Sequence, residues 1–188
     1  MEKKFISKYD LLKYFGELGF KVGAEIGVSK GYFAEKMFQS IPDLKLYCVD
    51  AWKSYKGVRR WMPNQARADS YYKIARETLA PYNAEIIRAM SMDAVRQFED
   101  NSLDFVFIDA CHGFDYVMED LINWSKKVKP GGIVSGDDYY HFKKAGVVEA
   151  VDVYTKMNHI TPSFTDPLPH KIIDRKAFEQ PVFYWTKE

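Results

Sequence analysis

Leu103-DFVFIDACHGFDYVMEDLINWSKKVKPGGIVSGDD-Tyr139 is the stretch that decides how the chain folds. Its opening, Leu103 to Ala110, is a short apolar run rich in Phe, Val and Ile with the acid Asp109 near its end. That is the pattern of a parallel strand buried on both faces. Gly113 breaks the run. From Phe114 to Val128, apolar Val117, Leu121, Trp124 and Val128 recur at helical spacing. Asp115, Glu119 and Asp120 come early and Lys126, Lys127 and Lys129 late, which complements a helix dipole. Pro130, Gly131 and Gly132 are expected to stop the helix, and Ile133 to Tyr139 to form a second strand with Asp137 and Asp138 at its far end. A right-handed crossover makes such strands parallel, so Asp109, Asp137 and Asp138 are expected at one edge of the sheet, where open α/β sheets bind ligands.

Working outward, the same alternation continues. Val22 to Ile26 is a short strand running into the glycine turn Gly27-Val-Ser-Lys-Gly31, and Tyr32 to Phe38 follows at helical spacing. Leu44 to Asp50 is another apolar strand ending on an acid. Gln65 to Leu79 is helical and stops at Pro81, Glu85 to Ala89 is a strand, and Ser91 is expected to cap a short helix through Phe98. His141 to Asn158, with Val147, Val151 and Tyr154 at helical spacing, should cover one face of the sheet, and Ser7 should cap a helix over the first 20 residues that covers it as well. Thr161 to His170 reads as a loop. Ile172 to Asp174 and Pro181 to Trp185 read as a terminal hairpin. Between strand and helix, Lys53 to Asn64 (KSYKGVRRWMPN) mixes basic and aromatic residues without periodicity and suits either a lid or a plain surface loop. The sum is a single α/β domain over 1–188, a Rossmann-like open twisted sheet, mostly parallel, with helices on both faces and a C-terminal antiparallel hairpin.

Composition narrows the function classes. With 188 residues, 47% hydrophobic, the chain is long enough to bury a substantial core. A net charge of +1 gives no long-range field to draw it to nucleic acid or a membrane. Cys48 and Cys111 have no pairing that suggests zinc or a disulfide scaffold, and they read as reduced thiols. The N-terminal segment MEKKFISKYDLL lacks an uninterrupted apolar stretch, and no run reaches the ~18 residues of a membrane span, so a cytoplasmic protein is expected. Nothing in the sequence fixes an oligomeric state.

The glycine turn separates neighbouring functions by chemistry. A dinucleotide site needs bare backbone where phosphates approach a helix N-terminus. Here the first glycine of that fingerprint is replaced by Glu25, whose carboxylate would repel pyrophosphate and attract a ligand carrying a cationic amino-acid group. S-adenosylmethionine is such a ligand. Glu25-Ile-Gly27-Val-Ser-Lys-Gly31, the strand end Val49-Asp50-Ala51-Trp52, and the Asp109…Pro130-Gly131-Gly132…Asp137-Asp138 stretch together resemble a class I S-adenosylmethionine-dependent methyltransferase over roughly Val22 to Val153. The resemblance implies that Glu25 lies near the methionine ammonium, that Gly27 and Gly31 shape the turn against the cofactor, and that Asp50 binds the ribose hydroxyls. It also implies that Ala51, Trp52 and Met92 lie along the adenine and that Asp109 approaches the cofactor. Asp50 as a solvating acid, and Trp52 and Met92 as core packing, are the plain alternatives.

Within that superfamily, Asp109 with Asp137 and Asp138 is most similar to the branch of small-molecule O-methyltransferases that uses a divalent metal. Hard carboxylate oxygens crowded at one edge repel one another unless a cation such as Mg²⁺ accepts them, and a bound ion lowers the pKa of an acceptor hydroxyl. In the other reading, one of the paired acids caps the following segment. His112 stands three residues after Asp109, where an imidazole would accept the acceptor's proton or merely cap a helix; His141 is a second candidate. The expected activity is methyl transfer to a hydroxyl of a small molecule, a sugar or secondary metabolite. The rivals are a metal-independent methyltransferase, a nucleic-acid methyltransferase using Lys53, Lys56, Arg59, Arg60 and Trp61, an NAD-dependent oxidoreductase disfavoured by Glu25, and a non-catalytic binding module.

Overall fold

A computed structural model of the chain describes residues 5–55, 62–141, 145–165 and 180–188. Strands β1 (Val22–Ile26), β2 (Lys45–Asp50), β3 (Ala84–Arg88), β4 (Leu103–Ile108) and β5 (Val128–Gly136) are parallel, in the order β3-β2-β1-β4-β5. Two short strands, β6 (Ser163–Phe164) and β7 (Phe183–Thr186), extend that sheet in antiparallel sense beyond β5, with β7 on the inside. β4 lies in the middle, and its alternation shows why it must. Val106 and Ile108 point into one apolar layer, Phe105 and Phe107 into the other. Helices α1 (Lys8–Glu17), α2 (Tyr32–Ser40) and α3 (Gln65–Leu79) fill the phenylalanine side with Leu11, Phe15, Met37 and Leu79. Helices α4 (Ser91–Ala94), α5 (Phe114–Lys127) and α6 (Val147–Met157) fill the opposite side with Ala94, Leu121, Trp124 and Val151.

Local chemistry sets the element ends. Ser7 caps α1 through a capping box, accepting from the Asp10 amide while Asp10 returns the bond to the Ser7 amide. Asn64 caps α3 in the simpler way, accepting from the Arg67 amide. The βαβ unit departs from expectation at its second strand. The helix ends at Lys127 and β5 begins at once with Val128, so Pro130 to Gly132 lie inside the strand as a bulge instead of preceding it. Leu103 pairs with Val128 and Phe105 with Ile133, and the extra β5 residues turn outward to exchange backbone bonds with Lys187 near the C-terminus. Gly131, at φ +82°, permits that turn. β5 stops at Gly136, so Asp137 and Asp138 follow the strand instead of closing it.

Other expectations are corrected too. Ser91 does not cap its helix: the N-cap is Met90, and Ser91 is the first helical residue, with its hydroxyl spent on α5. α6 starts at Val147, later than the pattern from His141 suggested. β7 is the expected terminal antiparallel strand, but its partners are β5 and Ser163–Phe164, a pair within the segment read as a loop. The other expected arm, Ile172 to Asp174, lies outside the described residues, as does half of the Lys53 to Asn64 segment (56–61). Among the described residues no helix is long and apolar enough to cross a membrane.

Phe105 joins α1 to the sheet: its ring lies 4.8 Å from that of Phe15 and stacks on Phe20, in space left by the missing side chain of Gly23. Phe105→Ala is expected to cost about 3–5 kcal/mol. Urea denaturation measures it, and a loss under about 1 kcal/mol would show that α1 does not depend on this contact.

Candidate active site

β1 is followed in the sheet by β2 on one side and β4 on the other, so the chain's winding reverses between β1 and β4. A crevice must open beyond their carboxyl ends, because the loops leaving the two strands depart to opposite faces. Backbone bonds run one residue past the strands: Gly27 donates to the Val49 carbonyl at 2.8 Å, Asp109 to Ile26 at 2.7 Å and Asp137 to Ile108 at 3.0 Å. The loops carrying these residues are therefore fixed to the sheet. Gly27 is obligatory there. Its φ is +102°, and a Cβ would collide with the backbone of Asp109 and Ala110. The crevice encloses ≈ 1090 Å³, with Gly27, Asp50, Ala51, Met92, Asp109, His112 and Asp138 among its lining residues. Candidates separated by up to 111 positions in sequence are thus gathered at one edge.

At one end Asp50 organises the turn. Its carboxylate accepts from the Ser29 amide at 2.9 Å and the Trp52 amide at 2.7 Å, and both donors sit in the left-handed region, Ser29 at φ 54° and Trp52 at φ 37°. Burial raises the pKa of Asp50, and the backbone amides and Arg88 oppose that rise. Trp52 itself turns away. Its ring is wholly buried, stands 4.9 Å from Tyr72, and donates from Nε1 to the Ser29 carbonyl at 2.7 Å. The structure thus places Trp52 behind the turn, while Ala51 and Met92 line the crevice. Gly31 is the N-cap of α2 and lies against Leu79, outside the crevice lining.

At the other end lie the acids. His112 stands between Asp109 and Asp138, with Nε2 3.4 Å from Asp109 Oδ1 and Nδ1 3.2 Å from Asp138 Oδ2. One ligand-type atom from each of the three falls within 4.8 Å of the others. Burial works against the imidazolium, but Asp109 and Asp138 outweigh it and hold the His112 pKa above its ordinary value. Asp138 is pushed up to about 6 by burial, with His112 opposing, and Asp109 is raised by burial as well. Asp137 does not join this group. Its Oδ2 accepts from Lys8 of α1 at 2.7 Å and its Oδ1 from the Asp138 amide at 2.9 Å. Asp138 lies at φ 62°, and that left-handed turn aims the adjacent acids in different directions. Beneath the edge, Glu25 is buried with Oε2 lacking a partner among the described residues; burial first, then Asp109 and Asp50, raises its pKa well above the carboxylate range. His141 is exposed and pairs with Glu149 on α6, away from the crevice.

Sequence reasoning missed a second polar cluster. The Ser91 hydroxyl donates to Asp120 Oδ1 and accepts from Trp124 Nε1 at 2.8 Å, and both Ser91 and Asp120 line the crevice. Asp120 is 3% exposed, and burial, opposed by the Ser91 bond, pushes it up to about 7. Its position in the α5 pattern was the available signal: Asp120 precedes the buried Leu121 and sits four residues before Trp124, on the inner side of the helix. Lys8 was missed for the opposite reason, since a charged residue in the first turn of a cover helix reads as a solvated one.

The model of the methyltransferase-domain family matches residues 24–139. Among solved structures, the O-methyltransferase from Bacillus cereus in complex with S-adenosylhomocysteine (SAH) aligns at TM-score 0.67 and 17% identity over 96% of this chain and 80% of that one. The O-methyltransferase TomG from Streptomyces achromogenes, involved in tomaymycin synthesis and solved with S-adenosylmethionine (SAM), aligns at 0.65 and 18% over the same shares. A precorrin-6y C5,15-methyltransferase from Geobacter metallireducens aligns at 0.63 and 14% over 95% and 88%. At these identities the likeness is one of fold. Among curated protein sequences, none matches this chain.

The Asp120 geometry carries a stability prediction. Its folded pKa stands above the unfolded value, so the folded state binds the extra proton, and stability is lost as pH rises from the ordinary carboxylate range through about 7. Asp120→Asn keeps an acceptor for Ser91 without that loss. The variant should be more stable than wild type by a few kcal/mol at pH 8 and equal to it near pH 4, by urea denaturation at both. A difference that does not change with pH would show that Asp120 is ionised in the fold.

Proposed function

This chain belongs to the methyltransferase-domain family, and from that premise we propose that it is a SAM-dependent O-methyltransferase acting on a hydroxyl of a small molecule, a sugar or secondary metabolite, with a divalent cation assisting. The observation that carries the reading is the union, in one crevice, of the Gly27–Asp50 turn and the Asp109–His112–Asp138 group.

The residues suit the cofactor. Glu25 offers a buried oxygen near the turn that has no partner among the described residues, and an arriving ammonium would restore its charged form. Asp50, already holding the turn, has its remaining lone pairs for ribose hydroxyls. Ala51 and Met92 would lie along the adenine, with Ser91 and Asp120 offering polar groups nearby. The donor set suits a hard or borderline divalent ion: Asp109 and Asp138 supply oxygens and His112 a nitrogen. Bound there, such an ion would lower the pKa of the acceptor hydroxyl. Without the ion, His112, made more basic than free imidazole by its two acids, is the side chain placed to take the hydroxyl proton. The protein's larger share is positioning, since an oxygen held in line with the methyl–sulfur bond gains the advantage of an intramolecular reaction. The solved O-methyltransferases of the same fold support the oxygen acceptor. A metal-independent reaction has its own support in Lys8 and His112, which already set positive charge among the acids.

Two outcomes test this. Asp50→Ala should weaken SAH binding by about 1.5–3 kcal/mol in calorimetry, and an unchanged affinity in the folded variant would remove Asp50 from the ribose role. Excess chelator should abolish methyl transfer while leaving SAH affinity intact, and Asp138→Asn should reproduce that pattern. Full turnover in chelator would leave His112 to act without a metal.

A further inference from the structure

Lys8 is the one α1 side chain that reaches the acid edge in the described contacts, and its placement is built rather than incidental. The capping box at Ser7 fixes the first turn of α1, and the ammonium lies 4.9 Å from the centre of the Phe33 ring and 2.7 Å from Asp137 Oδ2. Asp137 is 8% exposed and stands outside the crevice lining, with its second oxygen taken by the Asp138 amide. The edge therefore has three acids, of which one, Asp137, is already paired with an ammonium. Glu25 and Asp109 lie within electrostatic reach of the same ammonium.

We propose that Lys8 sets the edge's affinity for a divalent cation: by holding Asp137 outside the crevice lining it leaves Asp109, His112 and Asp138 as the groups the ion meets, and its own charge opposes the ion's arrival. The edge then holds the ion weakly until an acceptor adds its oxygens, so ion and acceptor bind together. This rests on the metal-assisted part of the proposed function. The physical reason is direct. A fixed positive charge within electrostatic reach of Asp109 and Asp138 weakens a cation site built on them, and a carboxylate bound by an ammonium is a poorer ligand than a free one.

The test uses Mn²⁺ alone as the probe, the full chain without acceptor, and the free-Mn²⁺ EPR signal as the readout. Lys8→Met frees Asp137 and removes the opposing charge, so Mn²⁺ should bind at least about tenfold more tightly than to wild type. Lys8→Arg keeps the charge and should stay close to wild type. Adding Asp137→Asn to Lys8→Met removes both members of the pair, a change that is often tolerated by the fold, and should return the affinity to within about threefold of wild type. A gain of affinity that is erased by the second substitution is not an effect that simple loosening of α1 would produce. Equal or weaker Mn²⁺ binding in Lys8→Met would overturn the proposal. So would a double variant about tenfold weaker than wild type, since Asp137 would then be a ligand in the native protein; that comparison decides the matter if Lys8→Met alone does not fold. The metal reading fails separately: Asp109→Asn and Asp138→Asn would both leave Mn²⁺ binding unchanged. No Mn²⁺ binding by wild type and by Lys8→Met would overturn both.

Discussion

The close approach of β1 and β4 beyond their last paired residues is the constraint on which the rest depends. Ile26 accepts from the Asp109 amide, and Gly27 passes so near Asp109 and Ala110 that no side chain fits between. That contact exists because the winding reverses between these strands, and it brings the glycine turn and the acid edge into one crevice. The two apolar layers exist to hold it. Phe105 and Phe107 anchor β4 to the α1–α3 side, and Val106 and Ile108 anchor it to the α4–α6 side. Neither layer alone would fix the strand's height relative to β1.

Charge is the second theme, and it is managed locally. The net charge is close to neutral, yet Asp50, Asp109, Asp120 and Asp138 line the crevice, with Glu25 and Asp137 buried close to them. Each is handled differently. Backbone amides hold Asp50, a hydroxyl holds Asp120, Lys8 holds Asp137, and His112 lies between Asp109 and Asp138. Glu25 has none of these among the described residues, and burial raises its pKa well above the ordinary carboxylate range, as expected of a buried acid with an unpartnered oxygen. Such an arrangement favours a ligand that brings positive charge with it, which is how a sulfonium and ammonium cofactor and a divalent ion would fit the same edge.

The sequence disclosed much of this because the informative signals were local. Apolar runs ending on Asp50 and Asp109, a glycine turn between strand and helix, and the acid-early, lysine-late pattern of α5 each follow from short-range rules, and they yielded the parallel sheet and its functional edge. What was hidden depended on contacts across the fold. Pro130 to Gly132 read as a helix stop, but their backbone pairs with the C-terminal segment, so they became a bulge. Trp52 read as either an adenine contact or core packing, and its buried ring, which reaches the Ser29 carbonyl, takes the second role. Adjacent Asp137 and Asp138 read as one pair of ligands, but the left-handed turn at Asp138 and the arrival of Lys8 from a helix 129 positions away separate them. Ser91 and Asp120 show the same limit, since their partnership across α4 and α5 leaves no mark on either segment alone.

Calorimetry of the full chain with SAM, SAH and NAD is the most direct test of the central claim, that a carboxylate in place of the first fingerprint glycine and a buried acid cluster make this crevice a site for a cationic adenosine cofactor. SAM and SAH should both bind with micromolar affinity, and NAD, which has no ammonium to offer Glu25 and whose pyrophosphate would meet Asp109, should show no binding. NAD binding with no heat from SAM or SAH would contradict the account.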